Sequence, residues 1–135
     1  MRTWLIELSP TECAMHLASE RLGRVGVIVD GRPEIFPVHH VYDEPSGHVV
    51  FTANADTKLG AARHWPWVAF EVDGLTGDDE GWSVLVVGRI EELADADELA
   101  RSAASRVGAW ATGDGVRWLR IVPDTVTGRR FARVA

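Results

Sequence analysis

The sequence predicts an α+β fold in which one antiparallel β-barrel carries peripheral helices. Short apolar stretches of alternating polarity follow one another, separated by turns rich in glycine, proline and aspartate, which is typical of barrels. Helix signals occur once before these strands and twice between them. The chain has 135 residues, of which 46% are hydrophobic and 25% are charged. This is the composition of one globular domain, which we assign to residues 1–135.

The first helix is predicted over residues 9–22. Ser9 and Glu12 have the Ser-x-x-Glu spacing of a capping box, in which each residue bonds the other's backbone N–H. Pro10 stands at the first helical position, where a missing N–H is tolerated. Gly23 follows as the predicted end of the helix.

A β-hairpin is predicted next. The alternating valines of "RVGVIV" and the turn dipeptide Asp30-Gly31 indicate two strands joined by a tight turn. Pro37 in the returning strand indicates an edge strand or a bulge, because proline cannot donate a ladder hydrogen bond. The turn "EPSG" then leads into a third strand, "HVVFTA".

The second half of the chain mixes helices and strands. A short helix is predicted over residues 57–64, ended by Trp65-Pro66. The fourth and fifth strands are "WVAFEVD" and "WSVLVVGRIEEL"; the fifth is apolar on both faces through Val87, as expected of a central buried strand. A helix over residues 95–107 precedes the sixth strand, "VRWLRIV", and "VTGRRFARV" closes the chain in a partly extended form.

Composition excludes several classes of function. A net charge of −6 and a pI near 5.3 argue against nucleic-acid binding. No apolar run has the length of a membrane span, and the first residues lack the apolar core of a signal peptide, so we expect a cytoplasmic protein. Cys13 is the single cysteine, which excludes an internal disulfide, and it is expected to be a buried thiol.

The common nucleotide-binding and hydrolase motifs are missing. The sequence has no Gly-x-Gly-x-x-Gly, no Walker loop and no Gly-x-Ser-x-Gly. His39 and His40 are adjacent on a predicted strand, so they point to opposite faces and cannot share a metal ion. We therefore predict no metal site and assign no catalytic residue.

Lys58 is the only lysine in the sequence, beside 13 arginines. Thr57 precedes it at the predicted start of a short helix, where free N–H groups favour an anion. Thr52 ends the preceding strand. Residues 52–58 thus provide two hydroxyls, free backbone amides and one ammonium group. These are the groups that bind phosphate in proteins. A capped helix followed by an exposed lysine explains the same residues equally well.

Trp118 and Arg120 lie two residues apart on a predicted strand and therefore share a face. An aromatic ring beside a guanidinium group suits a planar, anionic ligand. For each tryptophan of the chain, Trp82 included, a place in the core or at an interface is the alternative.

Five blocks of the sequence together resemble the pyridoxamine 5′-phosphate oxidase-like family, the flavin-binding split β-barrels. The blocks are "RLGRVGVIVDGRPEIFPVHHVYD", "VVFTANADTKLGAA", "VAFEVD", "GWSVLVVGRIEEL" and "RWLRIVPDTVTGRRF". Their order and spacing carry the resemblance, which runs from about Ser9 to Phe131.

The resemblance implies a six-stranded antiparallel split barrel with flanking helices. It also implies a homodimer with two FMN sites at the subunit interface. Lys58 and Thr57 would contact the phosphate, and Trp118 and Arg120 would approach from the second subunit. The residues implied to bind the cofactor are Pro37, Val38, His39, Thr52, Ala53, Thr57, Lys58, Leu59, Trp82, Ser83, Trp118 and Arg120.

Departures from the family narrow the expected function. True pyridoxamine phosphate oxidases are longer and carry an Arg-x-His element that "GRRFARVA" lacks, so pyridoxal phosphate synthesis is not expected. An FMN-dependent oxidoreductase is the first expectation. A reductase using the deazaflavin F420, with Arg129 and Arg130 near its polyglutamate tail, is the second. A non-catalytic flavin or haem carrier is the third, with His39, His40 and His64 as candidate haem ligands.

Overall fold

The computed structural model describes residues 2–62, 67–94 and 115–134. This part of the chain contains two helices, α1 (Pro10–Ser19) and α2 (Lys58–Ala61). It also contains eight strands: β1 (Arg2–Glu7), β2 (Leu22–Val29), β3 (Arg32–His39), β4 (Val41–Asp43), β5 (His48–Asn54), β6 (Val68–Gly77), β7 (Glu80–Glu92) and β8 (Val116–Val134).

Helix α1 begins at the predicted capping box. The Ser9 hydroxyl accepts from the Glu12 N–H at 3.2 Å, and the Glu12 carboxylate accepts from the Ser9 N–H at 3.1 Å. The predicted end of this helix is wrong, because α1 stops at Ser19 and β2 starts at Leu22. Gly23 lies inside β2, where a Cβ atom would come within 2.3 Å of the Phe70 ring. Gly23 therefore does not cap the helix; its missing side chain leaves room for the Phe70 ring in the barrel.

The turns follow their predicted chemistry. Asp30 and Gly31 have φ angles of 51° and 76°, the left-handed conformations of a primed hairpin turn between β2 and β3. Gly47 closes the "EPSG" turn with φ 75°. Pro37 lies in β3, which among the described strands pairs with β2 alone and is an edge strand, as its proline indicates.

All strand pairs are antiparallel and belong to one sheet, in the order β3-β2-β6-β7-β8-β5-β4. The 19-residue strand β8 is long enough to pair with β7 on one side and with both β5 and β1 on the other. The sheet curls until β3 approaches β5. Apolar side chains fill the interior, and the largest of those that are fully buried include Phe51, Phe70, Leu119 and Ile121.

The predicted class, an α+β antiparallel split barrel, is confirmed, but the described chain has eight strands where six were expected. Strands β1 and β4 were not predicted. The last two predicted segments form the single strand β8, whose pairing with β7 runs through Gly128 and continues beyond a register shift between Thr125 and Pro123. The predicted helix over residues 95–107, and residues 63–64 of the predicted short helix, lie outside the described residues.

Strand β7 is central, as predicted, but only one of its faces is fully buried. Val84 and Val86 point into the core, whereas Leu85 on the outer face is 41% exposed and Val87 is half-buried. The expectation of burial on both faces is therefore wrong for the single chain. The sequence pattern indicates an apolar outer face that residues 2–62, 67–94 and 115–134 leave partly exposed.

A β-bulge bends the β7–β8 ladder. The register shifts between Val87 and Gly88, and a Cβ atom on Gly88 would come within 2.2 Å of the Val122 carbonyl oxygen. Only a glycine allows the two backbones to approach this closely, so the curvature of the barrel depends on this position.

We predict that Gly88→Ala lowers the free energy of unfolding by about 1–3 kcal/mol, because backbone must move to admit the methyl group. Gly77→Ala is the matched control: a Cβ atom added at Gly77 would have no neighbouring atom within 4 Å, and this substitution should change stability by less than about 0.5 kcal/mol. Urea denaturation measures both. Equal effects of the two substitutions would contradict the account of the bulge.

Candidate functional site

Lys58 lies at the start of α2, and its side chain reaches across the gap between β5 and β3. Its Nζ atom donates to Oε1 of Glu34 at 2.8 Å. The lysine side chain remains 62% exposed, so solutes can reach its ammonium group. The hydrogen bond to Glu34, with the charge of that carboxylate, raises the pKa of Lys58 above its usual value.

Glu34 is a residue that sequence reasoning missed. It pairs with Val27, which is buried, and so faces the barrel interior. Its Oε2 atom is buried without a hydrogen-bond partner. A signal was present in the sequence, because Glu34, Phe36 and Val38 alternate along β3 and an acid in such a series needs a cationic partner.

The two threonines of the predicted phosphate cradle have different surroundings. Thr57 caps α2: its Oγ1 accepts from the Gly60 N–H at 3.0 Å and donates to the Asn54 carbonyl at 2.6 Å. Thr52 is buried on β5, directly opposite Trp118 of β8. The Thr57 hydroxyl thus holds the turn before α2, and Thr52 lies on the same sheet face as Trp118.

Trp118 and Arg120 share the outer face of β8, as predicted. Trp118 packs against Val50 and Leu93, which form a small apolar cluster separate from the main core. Arg120 is held by the carboxylate of Glu91 on β7, with N–O distances of 3.0 and 2.9 Å. This end of the sheet therefore presents an aromatic ring beside a fixed guanidinium group.

A second group of predicted residues shares the outer face at the other end of the sheet. Pro37 and His39 lie on β3, opposite Arg24 and Leu22 of β2. Ser83 lies on β7. The two groups lie at opposite ends of β7. Ser83 is near the start of this strand. Trp118 lies beside the end of the strand, because its carbonyl accepts from the N–H of Leu93, the residue that follows β7. Within one chain the structure does not bring the two groups together.

The remaining predicted residues point into the protein. Val38, Ala53 and Leu59 are buried in the main core. Trp82 is 6% exposed and stacks on His16 of α1, with ring centroids 3.7 Å apart and an angle of 17°. In this chain His16 covers one face of the Trp82 ring, which anchors α1 to the barrel.

A polar cavity of about 370 Å³ lies beside His39. Its lining includes Glu20, Arg21 and Tyr42. Burial raises the pKa of the Tyr42 hydroxyl. His40, also in the lining, is almost fully buried, with Nε2 at 3.0 Å from the Leu17 carbonyl and Nδ1 without a partner. Because that carbonyl accepts, Nε2 carries the proton, and burial lowers the pKa of this imidazole. His40 is thus engaged with α1, while His64 lies outside the described residues.

An apolar groove of about 300 Å³ runs over the outer face of β2, β3 and β6. Ile28, Ile35 and Trp67 line it and are 56%, 72% and 54% exposed. Contiguous exposed apolar surface of this kind is typical of interaction sites. Among the described residues, no helix is long and apolar enough to cross a membrane.

Comparison with known proteins identifies the family. Residues 9–130 match the Pyridoxamine 5′-phosphate oxidase family, and the chain belongs to it. An FAD-binding protein from Mycobacterium smegmatis is 34% identical, with a TM-score of 0.83 over 96% of this chain and 100% of its own. An FAD-binding protein from Mesorhizobium loti is 25% identical, with a TM-score of 0.80 over 98% and 100%. The uncharacterized protein Rv0080 of Mycobacterium tuberculosis is 30% identical over 94% of this chain and 86% of its own.

A carboxylate cluster on the outer face of the sheet contains a titrating group, Glu71, with a raised pKa. Glu71 on β6 lies 3.3 Å from Arg24, which also contacts Asp73 at 3.6 Å. Burial raises the pKa of Glu71 to about 7, and the hydrogen bond and charge of Asp73 act in the same direction. Between its ordinary pKa of 4.5 and about 7, the folded protein therefore holds a proton that the unfolded chain releases.

We predict that stability falls as the pH rises through this window, because the native state binds more protons than the unfolded state. The stabilising contribution is complete below pH 4.5 and lost above about pH 7. Glu71→Gln should flatten this part of the profile, measured as the free energy of unfolding in urea across the window. Glu80→Gln, which changes an exposed carboxylate at the start of β7, should leave it intact. An unchanged profile in Glu71→Gln would refute the assignment.

Proposed function

We propose that this protein is a homodimeric, flavin-binding oxidoreductase whose cofactor is FMN. A bound flavin would supply the hydride or electron transfer between a nicotinamide and a small acceptor. The observation that carries the proposal is the exposed ammonium of Lys58 at the opening of the barrel, in a chain whose family relatives include two proteins described as FAD-binding. The expected cytoplasmic location stays part of this proposal.

The residues of the chain would bind and orient the cofactor. Lys58 would hold the phosphate by a charge-assisted hydrogen bond. Its ammonium group has three N–H donors, of which the bond to Glu34 uses one, so a phosphate oxygen fits beside it. The backbone of β3 around Pro37 and His39 would lie along the flavin ring, and Trp118 and Arg120 would cover it from the second subunit.

A dimer is proposed for two reasons. The predicted cofactor residues on the outer face of the sheet lie in two groups at opposite ends of β7, and a two-fold arrangement allows one group of each chain to meet the other group of its partner. In addition, the groove around Ile35 and Trp67 is an exposed apolar surface that a second chain would cover.

We predict that Ile35→Glu weakens the dimer by at least about tenfold, because an unpaired carboxylate would be buried in the interface. Ile35 is 72% exposed in the single chain, so the fold should survive. Leu75→Glu is the matched control, since Leu75 is 78% exposed near the end of β6, outside the groove. Light scattering after size-exclusion chromatography measures the masses. A wild-type monomer would contradict the proposed dimer.

Cofactor identity is tested by incubating the purified protein separately with FMN, FAD and F420, desalting it and recording the absorption spectrum. FMN should be retained. Stronger retention of F420, lost in Arg129→Gln/Arg130→Gln, would favour the F420-dependent alternative. A haem spectrum in the untreated protein would favour the carrier alternative. A protein that stays colourless with all three cofactors would overturn the proposal.

We predict that Lys58→Gln weakens FMN binding by about tenfold to a hundredfold, the range expected when a charged hydrogen bond is lost. Riboflavin, which lacks the phosphate, should bind the variant about as well as it binds the wild type. Arg89→Gln removes an equal charge from the exposed side of β7 and serves as the control. Fluorescence titration measures the dissociation constants. Equal losses for FMN and riboflavin would place the phosphate elsewhere.

A further inference from the structure

Lys58 forms an ion pair with Glu34, so a carboxylate lies beside the ammonium group to which a phosphate would bind. Glu34 Oε1 is 2.8 Å from Nζ, and no other acidic side chain forms an ion pair with Lys58 in the described part of the chain. The charges of the pair cancel, so the opening of the barrel presents a neutral ion pair and not a free cation. An incoming anion gains the lysine and at the same time meets the carboxylate.

Glu34 cannot easily move away from this place. Its side chain is only 30% exposed, and it stands on the inner face of β3, whose partner at this level is the buried Val27. Its Oε2 atom is enclosed by protein and already lacks a hydrogen bond. The carboxylate therefore stays within a few ångströms of any group that binds to the lysine.

We propose that Glu34 determines the charge selectivity of the cofactor site, weakening the binding of a flavin in proportion to the negative charge that the flavin places at Lys58. This inference rests on the proposed function, because it takes Lys58 as the phosphate ligand. A phosphate monoester such as that of FMN carries about 1.5 to 2 negative charges, whereas each phosphate of the FAD diphosphate carries one and riboflavin carries none. Glu34 thus disfavours FMN most, FAD less and riboflavin not at all.

The experiment compares FMN, FAD and riboflavin on the wild type and on Glu34→Gln by fluorescence titration. Glutamine has the same size and keeps an acceptor oxygen for Lys58, so the contact between α2 and β3 is preserved while the charge is removed. We expect FMN to bind about tenfold more tightly, FAD about threefold more tightly and riboflavin unchanged, the order that Coulomb repulsion gives. A purely structural role for Glu34 would shift all three ligands together.

Two further variants complete the design. Glu34→Ala removes the same charge without an amide and should change the FMN-to-riboflavin ratio in the same direction, so the result does not depend on one variant folding. Asp124→Asn removes one negative charge from an exposed position on β8 and should leave the ratio unchanged.

The outcomes separate this inference from the proposed function. If the wild type binds flavins but the FMN-to-riboflavin ratio is the same in both Glu34 variants, the role of Glu34 is overturned and the cofactor assignment stands. The role of Glu34 is overturned in the same way if FAD gains more than FMN. If neither the wild type nor the variants bind any flavin, both proposals are overturned.

Discussion

Closure of a single curled sheet is the constraint on which the rest of this structure depends. The sheet runs from β3 to β4 through seven paired strands, and its curvature brings β3 to β5 without a ladder of backbone hydrogen bonds between them. The Lys58–Glu34 ion pair spans that gap. The same two charges that link α2 to β3 therefore also lie at the opening of the barrel, and an anion that approaches Lys58 meets both of them.

The long strands β7 and β8 set the distances within the candidate site. They pair from Glu80 to Glu92, with one bulge at Gly88, and they hold the Ser83 and Trp118 ends of the sheet apart. The proposed function therefore places a ligand that contacts both groups between two chains. The exposed apolar side chains of the outer face, which include Ile35 and Leu85, form the surface that the proposed dimer would cover. The raised pKa of Glu71 arises on this same face, so covering it would increase the burial of that carboxyl group further.

Local chemistry made much of the fold predictable from the sequence. The Ser9–Glu12 capping box and the Asp30-Gly31 turn specify their geometry within a few residues, and both predictions are confirmed. The prediction that Gly23 ends helix α1 was wrong, because the sequence does not distinguish a glycine that ends a helix from one that makes room for a neighbouring ring. Lys58 was noticed because it is the only lysine, but its partner Glu34 is 24 residues away. Such a contact depends on how the sheet curls, and no local sequence pattern predicts that curvature.

The single lysine allows the central claim, that the Lys58 ammonium group holds the cofactor phosphate, to be measured directly. Protein labelled with ¹⁵N-lysine gives one side-chain Nζ signal, because the chain contains no other lysine. Addition of FMN should shift this signal as the phosphate displaces or joins Glu34, whereas riboflavin should leave it in place. An Nζ signal that does not move while FMN is bound would contradict the account, since the phosphate would then lie away from Lys58.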